Sequence, residues 1–114
     1  MRIAALLVAV AVGAALPAAA APQSPALPPP FSAAVTAGDF VYLSGMLPTD
    51  ASGAIVPGDV RAQTARALDN LAALLGRNGS RMAQVAAVTV YLKNQTDFAA
   101  MNEVYTKYWL KDPP

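Results

Sequence analysis

The sequence predicts a small domain of mixed α and β structure, in the order β-β-α-β-α. Three observations carry this prediction: two strand-like segments around a turn, an amphipathic helical pattern, and an apolar β-branched run followed by a second helical pattern. The chain has 114 residues, which is enough for one small domain. All of these patterns fall within residues 31–114, so the globular part is expected there.

The first element is predicted to be a β-hairpin. Ser32–Thr36 is a short run of small and β-branched residues, Ala37-Gly38-Asp39 supplies a turn, and Phe40–Ser44 is again β-prone. The stretch 46–58 contains two prolines and two glycines, so it is predicted to be a loop.

The second element is predicted to be an amphipathic helix of about five turns. Asp59 is a suitable N-cap, and Asn78-Gly79 provides a left-handed C-terminal stop. Between them, apolar and small residues recur at three- and four-residue spacing: Val60, Thr64, Ala67, Leu68, Leu71, Leu74 and Leu75.

The last two elements are a strand and a helix. Val85–Leu92 is almost entirely apolar and β-branched, which is typical of a central strand covered on both faces. Asn94 or Thr96 is expected to cap a second helix that continues to about Leu110. That helix leads into Pro113-Pro114, and such a turn normally delivers the chain to another element. We therefore expect closing strands that this sequence does not contain.

Composition excludes several kinds of chemistry. The chain has no Cys and no His, which excludes disulfides, thiol nucleophiles, Ser–His triads and His/Cys zinc sites. The net charge is +1, and residues 21–114 carry seven basic and seven acidic side chains. A neutral domain lacks the positive surface that nucleic acid or anionic lipid requires. Catalysis would depend on hydroxyls, amides, backbone groups, Arg, Lys or carboxylates.

Residues 1–20 have the pattern of a secretory signal peptide. Met1-Arg2 is basic, Ile3–Leu16 is apolar, and small residues follow Pro17 at an A-x-A site. The alternative is a membrane anchor or buried helix. However, fourteen helical residues span about 21 Å, which is short of the roughly 30 Å hydrocarbon core. Cleavage after Ala20 predicts a secreted or periplasmic protein.

Residues 21–30 are predicted to be a linker. Five of the nine residues from Pro22 to Pro30 are proline, which favours polyproline II. A PxxP-type ligand is the alternative to a semi-rigid spacer. The expected organisation is a signal peptide at 1–20, this linker, and a domain at 31–114.

The domain resembles the RidA family of enamine/imine deaminases. The similarity lies in the predicted hairpin, which ends in Ser44-Gly45, and in residues 63–71 of the first helix. It continues in residues 88–92 of the last strand and in residues 97–105 of the second helix. It implies an α+β fold of the chorismate-mutase-like type, with two helices on one face of a mostly antiparallel sheet. It also implies a homotrimer with clefts between subunits, and hydrolysis of 2-imino acids to 2-keto acids and ammonia without metal or cofactor.

The resemblance also indicates site residues. Ser44 is expected to be catalytic through its hydroxyl and backbone, with Gly45 allowing close approach of substrate; a plain strand end is the alternative. Phe31 stands where many members have a cleft-lining Tyr, and simple packing is the alternative. Asn102 is expected near the cleft, or as a structural hydrogen-bonding group. The family's carboxylate-binding Arg and assisting Glu have no counterpart in this sequence, so we expect them in a longer form.

Two other functions remain open at this stage. The chain could belong to a non-catalytic trimeric member that binds a small ligand or another protein, since Phe31 has no hydroxyl to donate. A finished structural protein is a further reading, although missing strands would leave an exposed sheet edge.

Overall fold

The computed structural model describes residues 31–114 and the backbone of a segment at residues 7–12. It contains four strands and two helices. The strands are β1 (Leu7–Val12), β2 (Ala34–Ala37), β3 (Phe40–Leu43) and β4 (Val85–Val90), and the helices are α1 (Val60–Arg77) and α2 (Phe98–Tyr108). Short 3-10 turns at Met82–Gln84 and Gln95–Asp97 precede β4 and α2. Neither helix of the described part is long and apolar enough to cross a bilayer.

The predicted hairpin is confirmed. Strands β2 and β3 pair antiparallel, with Val35 opposite Tyr42 and Ala37 opposite Phe40. Gly38 adopts φ 59° in the turn, a conformation that costs glycine little. The sheet order is β2-β3-β1-β4, and the pairs that involve β1 are also antiparallel.

Strand β1 was not anticipated from the sequence. Residues 7–12 belong to the predicted signal peptide, yet here they pair with both β3 and β4. The alternation of Val with Ala in this segment suits a strand as well as it suits an apolar leader. The element order is therefore β-β-β-α-β-α. The predicted export of the chain and its cleavage after Ala20 stay predictions. The predicted linker at residues 21–30 lies outside the described residues.

Helix α1 begins and ends where the sequence predicts. The Asp59 carboxylate accepts a hydrogen bond from the Ala62 N–H at 3.0 Å, and Gly79 follows the C-cap with φ 75°. Its apolar stripe forms the centre of the core, where Leu68, Leu71 and Leu75 are fully buried. Burial of this stripe against the sheet supplies most of the driving force for its position.

Both helices pack on the same face of the sheet, as the resemblance implies. Val41 and Leu43 of β3 point into the helical layer and are buried. On the opposite side, exposed side chains of three strands form what we call the open sheet face: Val35, Phe40, Tyr42, Ala87 and Thr89. One face of the sheet is therefore covered and the other is not.

The prediction of a fully covered central strand at Val85–Leu92 is wrong. Strand β4 ends at Val90 and is the last strand in the described sheet. Ala87 and Thr89 are exposed because the helices cover only the other face. The second helix also starts later than expected, at Phe98, because Gln95–Asp97 forms the 3-10 turn.

Candidate functional site at the end of the hairpin

Ser44 and Gly45 directly follow strand β3. The Ser44 N–H donates to the carbonyl of Ala33 at 2.9 Å, and the Ser44 hydroxyl donates to the carbonyl of Ser32. Both donors of Ser44 are therefore engaged by the residues that lead into β2. The lone pairs of the hydroxyl oxygen remain as acceptors, so the side chain is held in place and can accept a hydrogen bond from water or from an N–H group.

An open cleft of about 660 Å³ lies next to this position. Its floor is one face of α1 and its wall is the loop that follows Gly45, which is itself part of the lining. The polar lining residues are Thr49, Asp50, Arg66, Asp69, Asn70 and Arg77, and the apolar ones include Ala33, Met46, Leu47, Ala73 and Leu74. The cleft thus combines an apolar interior with two guanidinium groups and two carboxylates.

Two side chains of α1 attach the loop to the helix. Arg66 donates from Nε to the Thr49 carbonyl at 2.7 Å. Asn70 donates from Nδ2 to the carbonyls of Leu47 and Thr49 at 2.9 and 3.0 Å. Because Arg66 and Asn70 are four residues apart, they lie on one helix face and act on the same segment. These bonds fix the wall of the cleft.

The loop also has its own internal support. The Asp50 carboxylate accepts hydrogen bonds from the Ser52 N–H and hydroxyl and from the Ala54 N–H, at 2.8, 2.6 and 3.1 Å. These bonds lower the pKa of Asp50, with the Ser52 hydroxyl as the largest cause. Thr49 and Ile55 form an isolated antiparallel bridge across the turn. The loop is therefore an ordered wall with an ionised carboxylate.

Asp69 is held by the second helix. The Tyr108 hydroxyl donates to Asp69 Oδ1 at 2.7 Å and approaches the Ala65 carbonyl at 3.1 Å. Burial, the hydrogen bond and the charge of Asp69 raise the pKa of Tyr108 to about 12. The phenol thus stays protonated and ties α2 to the cleft floor.

A pH dependence follows from Tyr108. Its folded pKa of about 12 lies above the ordinary 10.0, so between these values the folded chain binds more protons than the unfolded chain. Stability from this group is complete below pH 10 and is lost as the pH rises through 12. Tyr108→Phe is expected to flatten that decline in denaturation midpoints measured between pH 10 and pH 12. An unchanged slope in Tyr108→Phe would contradict this assignment.

The loop attachment gives a second prediction. Asn70→Ala removes both bonds to the loop carbonyls and is expected to lower the free energy of unfolding by about 1–3 kcal/mol. It should also speed amide hydrogen exchange in residues 47–55. Ala73→Ser on the same helix face is the control. It should change the free energy of unfolding by less than about 0.5 kcal/mol and should leave the amide hydrogen exchange rates of residues 47–55 unchanged. Equal behaviour of the two variants would show that the loop is held by other contacts.

The structure brings together only part of the predicted site. Gly45 lines the cleft and Ser44 directly precedes it in the chain, whereas Phe31 is 69% exposed and does not line it. Asn102 is exposed on α2, where its carbonyl accepts a hydrogen bond from the Thr106 hydroxyl. Sequence reasoning gave no role to Arg66 or Arg77, which also line the cleft. Their eleven-residue spacing places them three turns apart on one helix face, which is the signal that could have found them.

Comparison with known proteins identifies the family. A family model described as endoribonuclease L-PSP matches residues 20–114. The chain belongs to this family, to which RutC and RidA proteins also belong. Among relatives of this L-PSP chain, a RutC family protein of Pyrococcus abyssi is 43% identical over 86 residues, covering 75% of this chain and 68% of the relative. A 2-iminobutanoate/2-iminopropanoate deaminase of Capra hircus is 38% identical over 93 residues, covering 81% and 68%.

A solved structure supports the fold of this L-PSP family member. A crystal structure of a proposed endoribonuclease from Thermotoga maritima superposes with a TM-score of 0.72 at 35% identity, covering 82% of this chain and 72% of that one. The α+β arrangement, with two helices on a small antiparallel sheet, is therefore confirmed.

Proposed function

We propose that this protein hydrolyses 2-imino acids to 2-keto acids and ammonia. The observation that carries the proposal is the fixed Ser44 hydroxyl, which is oriented by the Ser32 carbonyl and lies next to the cleft that Gly45 lines. The similarity to the goat 2-iminobutanoate/2-iminopropanoate deaminase supplies the reaction class.

The reaction needs little from the protein beyond positioning. Water adds to the carbon of the C=N bond, the nitrogen takes up a proton, and the C–N bond then breaks to release ammonia and leave C=O. Ser44 accepts a hydrogen bond from the attacking water through its free lone pairs, which orients the oxygen toward the imine carbon. Neither a metal nor an organic cofactor enters this sequence of steps.

The substrate carboxylate requires a cation. Asp50 and Asp69 already accept hydrogen bonds from Ser52, Ala54 and Tyr108, and Arg66 Nε is engaged by Thr49. Arg77 lines the cleft and has no hydrogen-bond or ion-pair partner among residues 31–114. The resemblance gives the carboxylate-binding role to an Arg after the second helix, which residues 109–114 do not supply. That Arg is expected in a longer form, and among residues 31–114 Arg77 is the cation that we propose to face the substrate carboxylate from the cleft floor.

A homotrimer is part of the proposal, with the open sheet face as its contact surface. Val35, Phe40 and Tyr42 are apolar or aromatic and 54%, 38% and 46% exposed, which is unusual for one contiguous area of a monomer. Tyr42→Lys is expected to reduce the molecular mass in solution from that of a trimer to that of a monomer. Ala99→Lys, at an exposed position of α2, should leave it unchanged. A monomeric parent protein, or a trimer that survives Tyr42→Lys, would contradict the surface assigned here.

A non-catalytic ligand-binding member is the second candidate. Phe31 favours it through the resemblance alone, which implies a cleft-lining Tyr at this position: a phenyl ring cannot donate a hydrogen bond, and in the single chain Phe31 does not line the cleft. In that case the protein would bind 2-oxobutanoate at the cleft, and binding would shift the backbone amide NMR signals of residues 45–53. The protein would not accelerate imine hydrolysis.

Export through the predicted signal peptide is proposed as well. The intact mass of protein recovered from the periplasm or medium would begin at residue 21 if cleavage follows Ala20. A mass that includes residues 1–20 in that fraction would contradict it.

The test of the catalytic proposal is ammonia release from a freshly generated imine. An L-amino-acid oxidase with catalase produces 2-iminobutanoate in situ, and ammonia and 2-oxobutanoate are followed with and without the full chain. We expect faster release with the protein than in buffer. Binding of 2-oxobutanoate without any acceleration would favour the non-catalytic candidate instead.

A further inference from the structure

Methionine carries the reversible redox chemistry of this protein. The chain has four methionines and no cysteine, so thioether sulfur is its only sulfur. Oxidation of a methionine to its sulfoxide is reversible and turns a flexible apolar side chain into a polar one. Three methionines belong to the described residues: Met46, Met82 and Met101. Their surroundings decide which of them an oxidant in solution reaches.

The three methionines differ in their access to solvent. Met101 is 5% exposed and packs with Val60 in the core where the two helices meet. Met82 is half-buried against the core, and it is not part of the cleft lining. Met46 also packs against the core, but it lines the open cleft next to Gly45. A small oxidant that enters the cleft therefore meets Met46 first of the three.

The backbone on both sides of Met46 is fixed. Before it, the Ser44 N–H donates to the Ala33 carbonyl at 2.9 Å. After it, the Leu47 carbonyl accepts a hydrogen bond from Asn70 Nδ2 at 2.9 Å. A chemical change in the Met46 side chain is therefore not relieved by a shift of its backbone, and its effect falls on the cleft.

The modification is a two-electron oxidation of the Met46 thioether, with hydrogen peroxide as the oxidant. The O–O bond of the peroxide breaks, one oxygen forms an S–O bond with a lone pair of Sδ, and the other oxygen leaves as water with both hydrogens. The sulfur is oxidised and the peroxide is reduced, so no further reactant is needed. A methionine sulfoxide reductase returns the sulfoxide to the thioether.

The sulfoxide oxygen changes what the cleft can bind. It is a hydrogen-bond acceptor, and the apolar lining side chains Leu47 and Leu74 cannot donate to it. Arg77 lines the same cleft, has no hydrogen-bond or ion-pair partner among residues 31–114, and can donate. A guanidinium that is bound to the sulfoxide is no longer free for a substrate carboxylate. Oxidation thus makes the cleft more polar and engages the cation proposed for the substrate.

We propose that Met46 is a redox-sensitive modification site, whose oxidation to the sulfoxide weakens ligand binding in the cleft and whose reduction restores it. The effect on imine hydrolysis rests on the proposed function. The order in which the methionines are oxidised does not depend on that function, because it follows from burial and access through the cleft.

The oxidation order tests the modification site itself. The folded full chain is treated with dilute hydrogen peroxide, and the gain of one oxygen at each methionine is followed over time by peptide mass mapping. Met46 is expected to be oxidised at least about fivefold faster than Met82 or Met101. The same chain unfolded in guanidinium chloride is the control, and all three methionines should be oxidised there at similar rates. Equal rates in the folded chain, or faster oxidation of Met82, would overturn the inference.

Kinetics after oxidation test the consequence for the cleft. Treated protein is freed of peroxide with catalase, and its KM for 2-iminobutanoate is compared with that of the untreated sample of the same variant. The parent is expected to show a rise in KM of about tenfold, because a charged hydrogen bond to the carboxylate is lost, and reduction of the sulfoxide should reverse the rise. Met46→Leu, which has no sulfur at this position, should show no rise, whereas Met82→Leu should show the rise of the parent. A rise in Met46→Leu equal to that of the parent would overturn the inference.

Failure of the proposed function gives a different result. An untreated protein that does not accelerate hydrolysis contradicts the imine hydrolase, and the consequence of oxidation is then measured as binding of 2-oxobutanoate. The backbone amide NMR signals of residues 45–53 should give a Kd that is about tenfold higher after oxidation. A Kd that oxidation of Met46 leaves unchanged would overturn the inference, whatever the activity of the untreated protein.

Discussion

Replacing Trp109 by alanine is expected to lower the free energy of unfolding by about 3–5 kcal/mol. The indole is only 6% exposed and donates from Nε1 to the Met82 carbonyl at 2.8 Å. It also packs against the ring of Tyr105, with centroids 4.7 Å apart. Trp109 therefore connects the end of α2 to the turn that leads into β4, and its loss creates a cavity and leaves a carbonyl without a donor.

Two variants separate these contributions. Trp109→Phe keeps most of the ring packing and loses the hydrogen bond, so we expect a loss of about 1–2 kcal/mol. Leu110→Ala is the control, because this side chain is 92% exposed and its removal should change stability by less than about 0.5 kcal/mol. Far-UV circular dichroism during denaturation avoids dependence on the removed fluorophore. Equal stability of Trp109→Ala and Leu110→Ala would contradict this packing.

Replacing Ser44 by alanine is expected to reduce kcat for imine hydrolysis by about 10²–10⁴-fold, the usual contribution of a group that assists proton transfer or orients water. The fold should survive, because one hydrogen bond to the Ser32 carbonyl accounts for only about 0.5–1.5 kcal/mol. The loss is expected mainly in kcat, since Ser44 acts on the water and not on the substrate carboxylate.

Ser32→Ala is the matched control for Ser44→Ala. It removes a hydroxyl from the segment that leads into β2 but keeps the backbone carbonyl that orients Ser44. Its kcat should equal that of the parent. If Ser44→Ala also kept the parent kcat, Ser44 would be a structural residue at a strand end, and the catalytic assignment would fall.

The parts of the fold that depend on local sequence were predictable. The Asp59 cap, the Leu68–Leu75 stripe and the Gly38 turn involve neighbouring residues, and each is found where the sequence places it. The role of Leu7–Val12 was not predictable in this way. Its apolar composition fits both a leader and a strand, and only pairing with β3 and β4, distant in sequence, distinguishes them.

The interpretation of β4 was wrong for the same reason, because local sequence does not show which distant residues pack against a strand. An apolar β-branched run indicates burial but not which partner provides it. Ala87 and Thr89 are exposed in the single chain, on the face that we assign to neighbouring subunits. For the candidate site, Ser44 and Gly45 could be predicted from their resemblance to the family. Arg66 and Arg77 could not, because arginines on one face of an amphipathic helix are usually solvated, and the loop that makes them part of a cleft comes from elsewhere in the chain.

Imine hydrolysis is measured most simply as the rate at which freshly generated 2-iminobutanoate disappears in the presence of the full chain. We predict an acceleration over buffer that scales with protein concentration and is strongly reduced in Ser44→Ala. A rate equal to that in buffer, from protein that is folded and trimeric, would contradict the proposed imine hydrolase activity.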